Sequence, residues 1–226
     1  MTDPSILLTI AVLGGTGKEG KGLAYRWAKA GYRVLIGSRS KEKAITAASE
    51  IVQLLDGASS TVGMSNAEAA KLANIVVLTV PYAAHRDTLE SVKEHLKGKI
   101  LIDVTVPLVP PKVTKVQMPA AGSAAQEAKQ IVGEGVEVAA AFQNISFEHL
   151  MSESGADCDV LVTGSSKDAR AEAIKLVEAA GLIGWDAGPI ENSVVVEGLT
   201  SVLININKQY GSTHAGIRIT GASHKQ

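Results

Sequence analysis

Residues able to hold a phosphate lie close together near the start of this chain. Gly15-Thr16-Gly17-Lys18-Glu19-Gly20 fits the spacing G-x-G-x-x-G. Glycines there permit a tight turn and let backbone N–H groups approach a pyrophosphate. A helix opening at such a turn adds unpaired N–H groups and the positive end of its dipole. Thr16 can donate its hydroxyl to a phosphate oxygen. Spacing alone is a weak signal, and a plain glycine-rich loop is the alternative. Context strengthens the phosphate reading: the apolar run Ile6 to Leu13 precedes the turn, and Leu23, Trp27 and Ala30 recur at helical spacing after it.

A second group of residues chooses between cofactors. The next apolar run, Val34 to Ile36, ends in Gly37-Ser38-Arg39. An NAD site usually places Asp or Glu here to accept the ribose hydroxyls. This chain instead offers Ser38, Arg39 and, one helical turn on, Lys43. A guanidinium fork pairs well with a phosphate, and a hydroxyl can donate beside it. These residues predict NADP(H) over NAD(H); solvated surface charges are the alternative reading of Arg39 and Lys43.

Acid–base and metal chemistry are harder to place. His85, opening a helix near the expected mouth of the site, is the best acid–base candidate; a helix-surface or packing histidine is the blander reading. Asp103 near a strand end reads as a local hydrogen-bond partner. Cys158 lies between Asp157 and Asp159, which disfavour a thiolate. His/Cys spacing suggests no metal site. The motifs Thr79-Val80-Pro81-Tyr82 and Val104-Thr105-Val106-Pro107 close two buried strands. Ligands of doubly wound sheets lie beyond such carboxyl ends, so these tips are expected to flank a nicotinamide; strand-ending prolines alone are the alternative.

The elements that must position these residues alternate. Strands are expected at 6–13, 33–36, 61–64, 75–80, 100–104, 138–142, 158–163 and 183–186. Helices are expected at 20–30, 41–55, 66–72, 85–96, 123–132, 167–180 and 192–210. Alternation predicts an α/β fold, a Rossmann-type doubly wound and mostly parallel sheet with extra strands and a small C-terminal helical part. Only 4% of residues are aromatic, so the core must be Ala, Val, Ile and Leu, which suits a sheet buried on both faces. We expect a dinucleotide-binding domain over 1–188 and a segment over 189–226 that closes the cleft, with a partly mobile tail from Gly211. The segment from Pro107 to Pro119, with four prolines, reads as a long loop.

Composition bounds the partners. A formal net charge of −1 gives no global field for nucleic acid or an anionic membrane. One cysteine excludes an intramolecular disulfide and fits a reducing cytosol. Met1 to Pro4 lacks the basic start of a signal peptide, and no apolar run reaches spanning length.

Several stretches carry a family resemblance. LGGTGKEGKGLA at the turn and GSRSKEKA after the second strand come first. LTVPYAAH, TVPLVP, GSAAQ, AAAF, DVLVTG, DAGPIENS and HAGIRITG follow in order. Together they cover nearly the whole chain, which resembles the F420-dependent NADP oxidoreductase family. The resemblance implies reversible hydride transfer between NADP(H) and the deazaflavin coenzyme F420 in a cytoplasmic homodimer. It implies that Gly15, Thr16, Gly17, Lys18 and Glu19 hold the pyrophosphate and that Ser38, Arg39 and Lys43 hold the 2′-phosphate. Val80, Pro81, Val106 and Phe147 would lie on the NADP side, with Gln143, Asn144 and Ile145 on the deazaflavin side. It also accounts for a missing catalytic acid: both carriers hold the chemistry, and the protein brings two rings together. A reductase of another acceptor (a flavin, an imine or a metal chelate) and a non-catalytic NADPH sensor remain as alternatives.

Overall fold

The computed structural model describes residues 8–151 and 157–223. Strand β1 (Thr9–Leu13) is central. It lies between β2 (Arg33–Ser38) and β4 (Ile75–Leu78), parallel to both. Beyond them come β3 (Thr61–Ser65) on one side and β5 (Ile100–Asp103) and β6 (Glu137–Ala140) on the other. Strands β7 (Asp159–Gly164) and β8 (Ile183–Pro189) complete the eight-stranded order 3-2-1-4-5-6-7-8. This is the doubly wound arrangement the alternation predicts.

Helices cover both faces because sheet residues alternate between them. Ile10, Val12, Val34, Ile36, Val77 and Ile102 face α1 (Lys18–Lys29), α2 (Lys41–Leu54) and α7 (Lys167–Ala179). Ala11, Leu13, Leu35, Val76, Leu78 and Leu101 face α3 (Asn66–Leu72), α4 (Tyr82–Val92) and α5 (Ala124–Val132). Trp27 is the largest fully buried side chain; its indole N–H donates to Leu176 O at 2.8 Å, so its burial leaves no orphan donor. Serines start four of these helices: Ser40, Ser65, Ser123 and Ser166 each accept a backbone N–H, and Glu68 completes a capping box with Ser65.

Several boundaries differ from expectation. Ile6 and Leu7 lie outside the described residues, and β1 runs from Thr9. Strand β4 stops at Leu78 because Thr79 turns its N–H and its hydroxyl onto Leu13 O, both at 2.9 Å. Helix α4 begins at Tyr82, three residues before His85. Pro81 stands at its N-cap with φ −57°, where a missing N–H costs nothing. Helix α4 also ends at Val92, followed by a 3₁₀ turn to His95.

Two features were not expected at all. A short helix, α6 (Phe147–Met151), follows β6 and packs on α1; Arg26 donates to Leu150 O at 2.7 Å and His149 O at 2.9 Å. Strand β7 then enters antiparallel to β6, so β7 and β8 run against the rest. The connection leaves and re-enters the sheet at one edge, which gives a reversal rather than a crossover. The last helix, α8 (Ser193–Tyr210), packs on α5 and β7. As far as Ile219 the tail is docked rather than loose. Asp159 N donates to Ile217 O, and Ile219 N donates to the Asp159 carboxylate, both at 2.8 Å. Among the described residues no helix is long and apolar enough to cross a membrane.

Candidate functional site: a two-part cleft at the carboxyl edge of the sheet

The turn between β1 and α1 is built for close approach. Gly15 N donates to Val12 O and Gly37 O, which pulls the turn against β2. A Cβ on Gly15 would sit 2.8 Å from Val12 O, and one on Gly20 would lie 2.9 Å from Gly15 Cα and against the Thr79 hydroxyl. Only glycine fits either place. Gly17 is the N-cap of α1 and no side chain caps it, so the first N–H groups of the helix are left for a ligand.

A pocket of about 190 Å³ opens on the β2 side of this turn. Thr16, Gly17, Ser38, Arg39, Asn66 and Thr88 line it together with Thr79, Val80 and Pro81. Ser38 is buried, with its hydroxyl accepting from Ser40 N at 3.2 Å, while Arg39 is exposed. Lys43 does not line this pocket. It borders a neighbouring depression of about 430 Å³ with Lys21, Glu42 and Glu50, and Thr16 lies on the boundary of both. Arg39 and Lys43 thus flank Thr16 from two sides.

A larger cleft of about 770 Å³ shares the wall Gly17-Thr79-Val80-Pro81 with that pocket. Lys18, Glu19, Val106, Gln143, Asn144, Ile145 and Phe147 all line it. Lys18 Nζ lies 4.7 Å from the centre of the Phe147 ring. Desolvation pushes the half-buried Glu19 carboxyl up to about 8. The floor is polar and unfinished. Gln143 Nε2 donates to Asp103 O at 2.9 Å, and Asn144 Nδ2 donates to Val196 O and Thr200 Oγ1 at 3.0 and 3.1 Å. Gln143 Oε1 and Asn144 Oδ1 are buried with no partner. Buried acceptors of this kind await a donor.

Helix α8 belongs to the segment expected to close the cleft, but its lining residues were not singled out from the sequence. Thr200, Leu203, Ile204 and Asn207 line the cleft at i, i+3, i+4 and i+7 spacing. That periodicity is visible in the sequence, but not which stripe faces a ligand. Tyr82 also lines the cleft, with its hydroxyl donating to Glu127 at 2.8 Å. Burial, with the Glu127 hydrogen bond, pushes that phenol up to about 12.

His85 does not face the mouth. It is 1% exposed and lies behind the cleft floor, Nε2 at 2.7 Å from Asp103 Oδ2. Burial pulls its imidazole down, but the Asp103 hydrogen bond and charge together leave it above the ordinary histidine value. Asp103 is the local hydrogen-bond partner expected of it. Burial, with Asp159 and Asp157, pushes the Cys158 thiol up to about 11, which disfavours a thiolate. Among the described residues no group of His, Cys, Asp and Glu is arranged to hold a metal ion.

The family described as NADP oxidoreductase, coenzyme F420-dependent, matches residues 9–107. A relative from Methanothermobacter marburgensis, named F420-dependent NADP reductase, is 44% identical over 220 residues, covering 94% of this chain and 98% of its own. The chain belongs to this family. A second family relative of the same name, from Methanocaldococcus jannaschii, is 38% identical, with 94% and 98% covered. Among solved structures, one from Arthrobacter sp. fb24, provisionally described as an f420 dependent nadp-reductase, superposes with a TM-score of 0.77. It is 26% identical, with 94% of this chain and 99% of that chain covered.

Proposed function

We propose that the chain transfers a hydride, reversibly, between NADP(H) and coenzyme F420, holding both in the adjoining pocket and cleft. The observation that carries this reading is their shared wall. One side of Gly17, Thr79, Val80 and Pro81 faces Ser38 and Arg39, and the other faces Gln143 and Asn144. Relatives named F420-dependent NADP reductase, 38–44% identical over nearly the whole chain, support it.

The residues present fit the two coenzymes. The glycine cradle and the uncapped start of α1 suit a pyrophosphate, with Gly15, Thr16, Gly17, Lys18 and Glu19 around it. Ser38 and Arg39 would hold the 2′-phosphate, with Lys43 adding charge across Thr16. Val80, Pro81, Val106 and Phe147 offer apolar surface to the nicotinamide. Gln143, Asn144 and Ile145 would meet the deazaflavin, and the two unpartnered amide oxygens suit ring N–H donors. When both coenzymes are bound they would supply the chemistry, a hydride passing directly between nicotinamide and deazaflavin, with one proton exchanged with solvent to balance the two-electron reduction. The protein orients the rings, excludes water with an apolar lining and assigns no side chain to acid or base catalysis.

Residues 189–226 would close the cleft over the Rossmann domain of residues 1–188, since α8, Thr213 and Ala215 line its outer wall. Homodimerisation through α8 is supported by an exposed apolar stripe of Val195, Val202 and Ile206. A single buried thiol suits the reducing cytoplasm. Mixing the protein with NADPH and F420 is expected to bleach the deazaflavin absorbance. NADPH binding with no bleaching would contradict the reading.

A further inference from the structure

We infer that the buried His85–Asp103 pair is a positioning device: it fixes Thr105 and Gln143 in the cleft and through them sets the geometry of hydride transfer. The inference rests on the hydride-transfer reading above. Neither member of the pair lines the cleft, and they are 1% and 0% exposed. Their influence runs through Asp103, at the end of β5, which serves three neighbouring segments at once. Its Oδ2 meets His85 Nε2 from α4 at 2.7 Å. Its Oδ1 accepts Thr105 N–H at 2.9 Å. Its backbone oxygen accepts Gln143 Nε2 at 2.9 Å.

The consequence for Gln143 is specific. Only the NH₂ end of its amide can face a carbonyl oxygen, so the bond to Asp103 O leaves Oε1 as the free acceptor. A flipped amide would set two acceptors against each other. Thr105, held by Oδ1, turns its hydroxyl toward Val80 O at 3.4 Å and so links the floor to the wall shared with the NADP pocket. The pair therefore reaches both sides of the transfer without touching either.

Losing His85 strands a buried carboxylate, which is costly unless the carboxylate moves toward water. Any such movement releases Thr105 N–H and shifts the Asp103 carbonyl under Gln143. Transfer depends steeply on such placement, because displacement of a positioned group by about 1 Å costs as much as 10²-fold in rate.

The test uses His85→Leu, which removes the donor at similar volume, and His85→Gln, which can restore an N–H to Asp103. The first readout needs no coenzyme. In labelled protein, hydrogen exchange at the Thr105 amide is expected to quicken about tenfold or more in H85L and to return toward wild type in H85Q. The second is single-turnover transfer from NADPH deuterated at the transferring position. H85L is expected to lose about tenfold in rate with the KM for NADPH within about twofold, and to show a larger, more temperature-dependent isotope effect. A folded H85L with unchanged Thr105 exchange and an unchanged isotope effect would overturn the proposal and leave His85 as packing. Should H85L not fold, Asp103→Asn, which keeps shape and the acceptor for Thr105 but weakens the bond to His85, is read by the isotope effect alone: a larger, more temperature-dependent effect supports the proposal and an unchanged one overturns it. Wild-type protein that moves no hydride would refute the proposed function instead, while the exchange readout still decides whether the pair anchors Thr105.

Discussion

Arg39 and Glu19 both border the proposed phosphate-binding turn. A charge-assisted hydrogen bond is worth about 1.5–3 kcal/mol, so Arg39→Ala is expected to raise the KM for NADPH by roughly tenfold or more and that for NADH far less. Equal effects on both would refute the 2′-phosphate assignment. Glu19 is held up to about 8 by desolvation, so at pH 7 it is mostly neutral beside the proposed pyrophosphate site. Above pH 8 it becomes an anion there. NADPH affinity in wild type is therefore expected to fall as pH rises from 7 to 9, and Glu19→Gln should flatten that fall. Titration calorimetry across the range checks this; parallel profiles would contradict it. The turn and its nearness to Ser38 and Arg39 were legible in the sequence because a strand-turn-helix-strand unit is local, written in glycine spacing and in the residues closing one strand. His85 was not legible as a buried residue. Its position follows from Asp103, 18 residues away on another element, and from the point where α4 begins.

At the level of elements, α8 is fastened to α5 by one carboxylate. Glu197, fully buried, accepts Ala124 N–H at 2.6 Å and Ala125 N–H at 3.0 Å, capping α5 from across the fold. Burial pushes this carboxyl up to about 8, against the pull of the two N–H groups, and Asp103 and Glu127 add to the rise. A raised carboxyl pKa means the folded chain holds the proton more tightly than the unfolded chain. The stability contribution therefore falls as pH rises from the ordinary carboxyl range through about 8. Glu197→Gln is expected to weaken that pH dependence in thermal melts. Glu197→Ala, which orphans two buried N–H groups, should cost about 2 kcal/mol and lower Tm by roughly 4–8 °C. No change in Tm would refute the cap. The strands were readable from short apolar runs, and most helices from their apolar spacing. The reversal into β7 was not: it follows α6, whose contacts to Arg26 on α1 lie more than 120 residues away in sequence.

In the whole molecule, a Rossmann sheet meets a wall made by α6, α8 and the docked tail. The exposed stripe on α8 predicts self-association: sedimentation should show a dimer for wild type and a monomer for the double variant Val202→Glu, Ile206→Glu. A monomeric wild type would remove the dimer from the account. The central claim, two coenzymes docked face to face so that a hydride passes directly between them, has a simpler test. NADPH deuterated at the transferring position is mixed with F420 in ordinary water, and the reduced deazaflavin is weighed by mass spectrometry. One deuterium is expected to pass into the deazaflavin from the nicotinamide. Reduced deazaflavin carrying hydrogen from solvent instead, or no reduction at all, would contradict that claim.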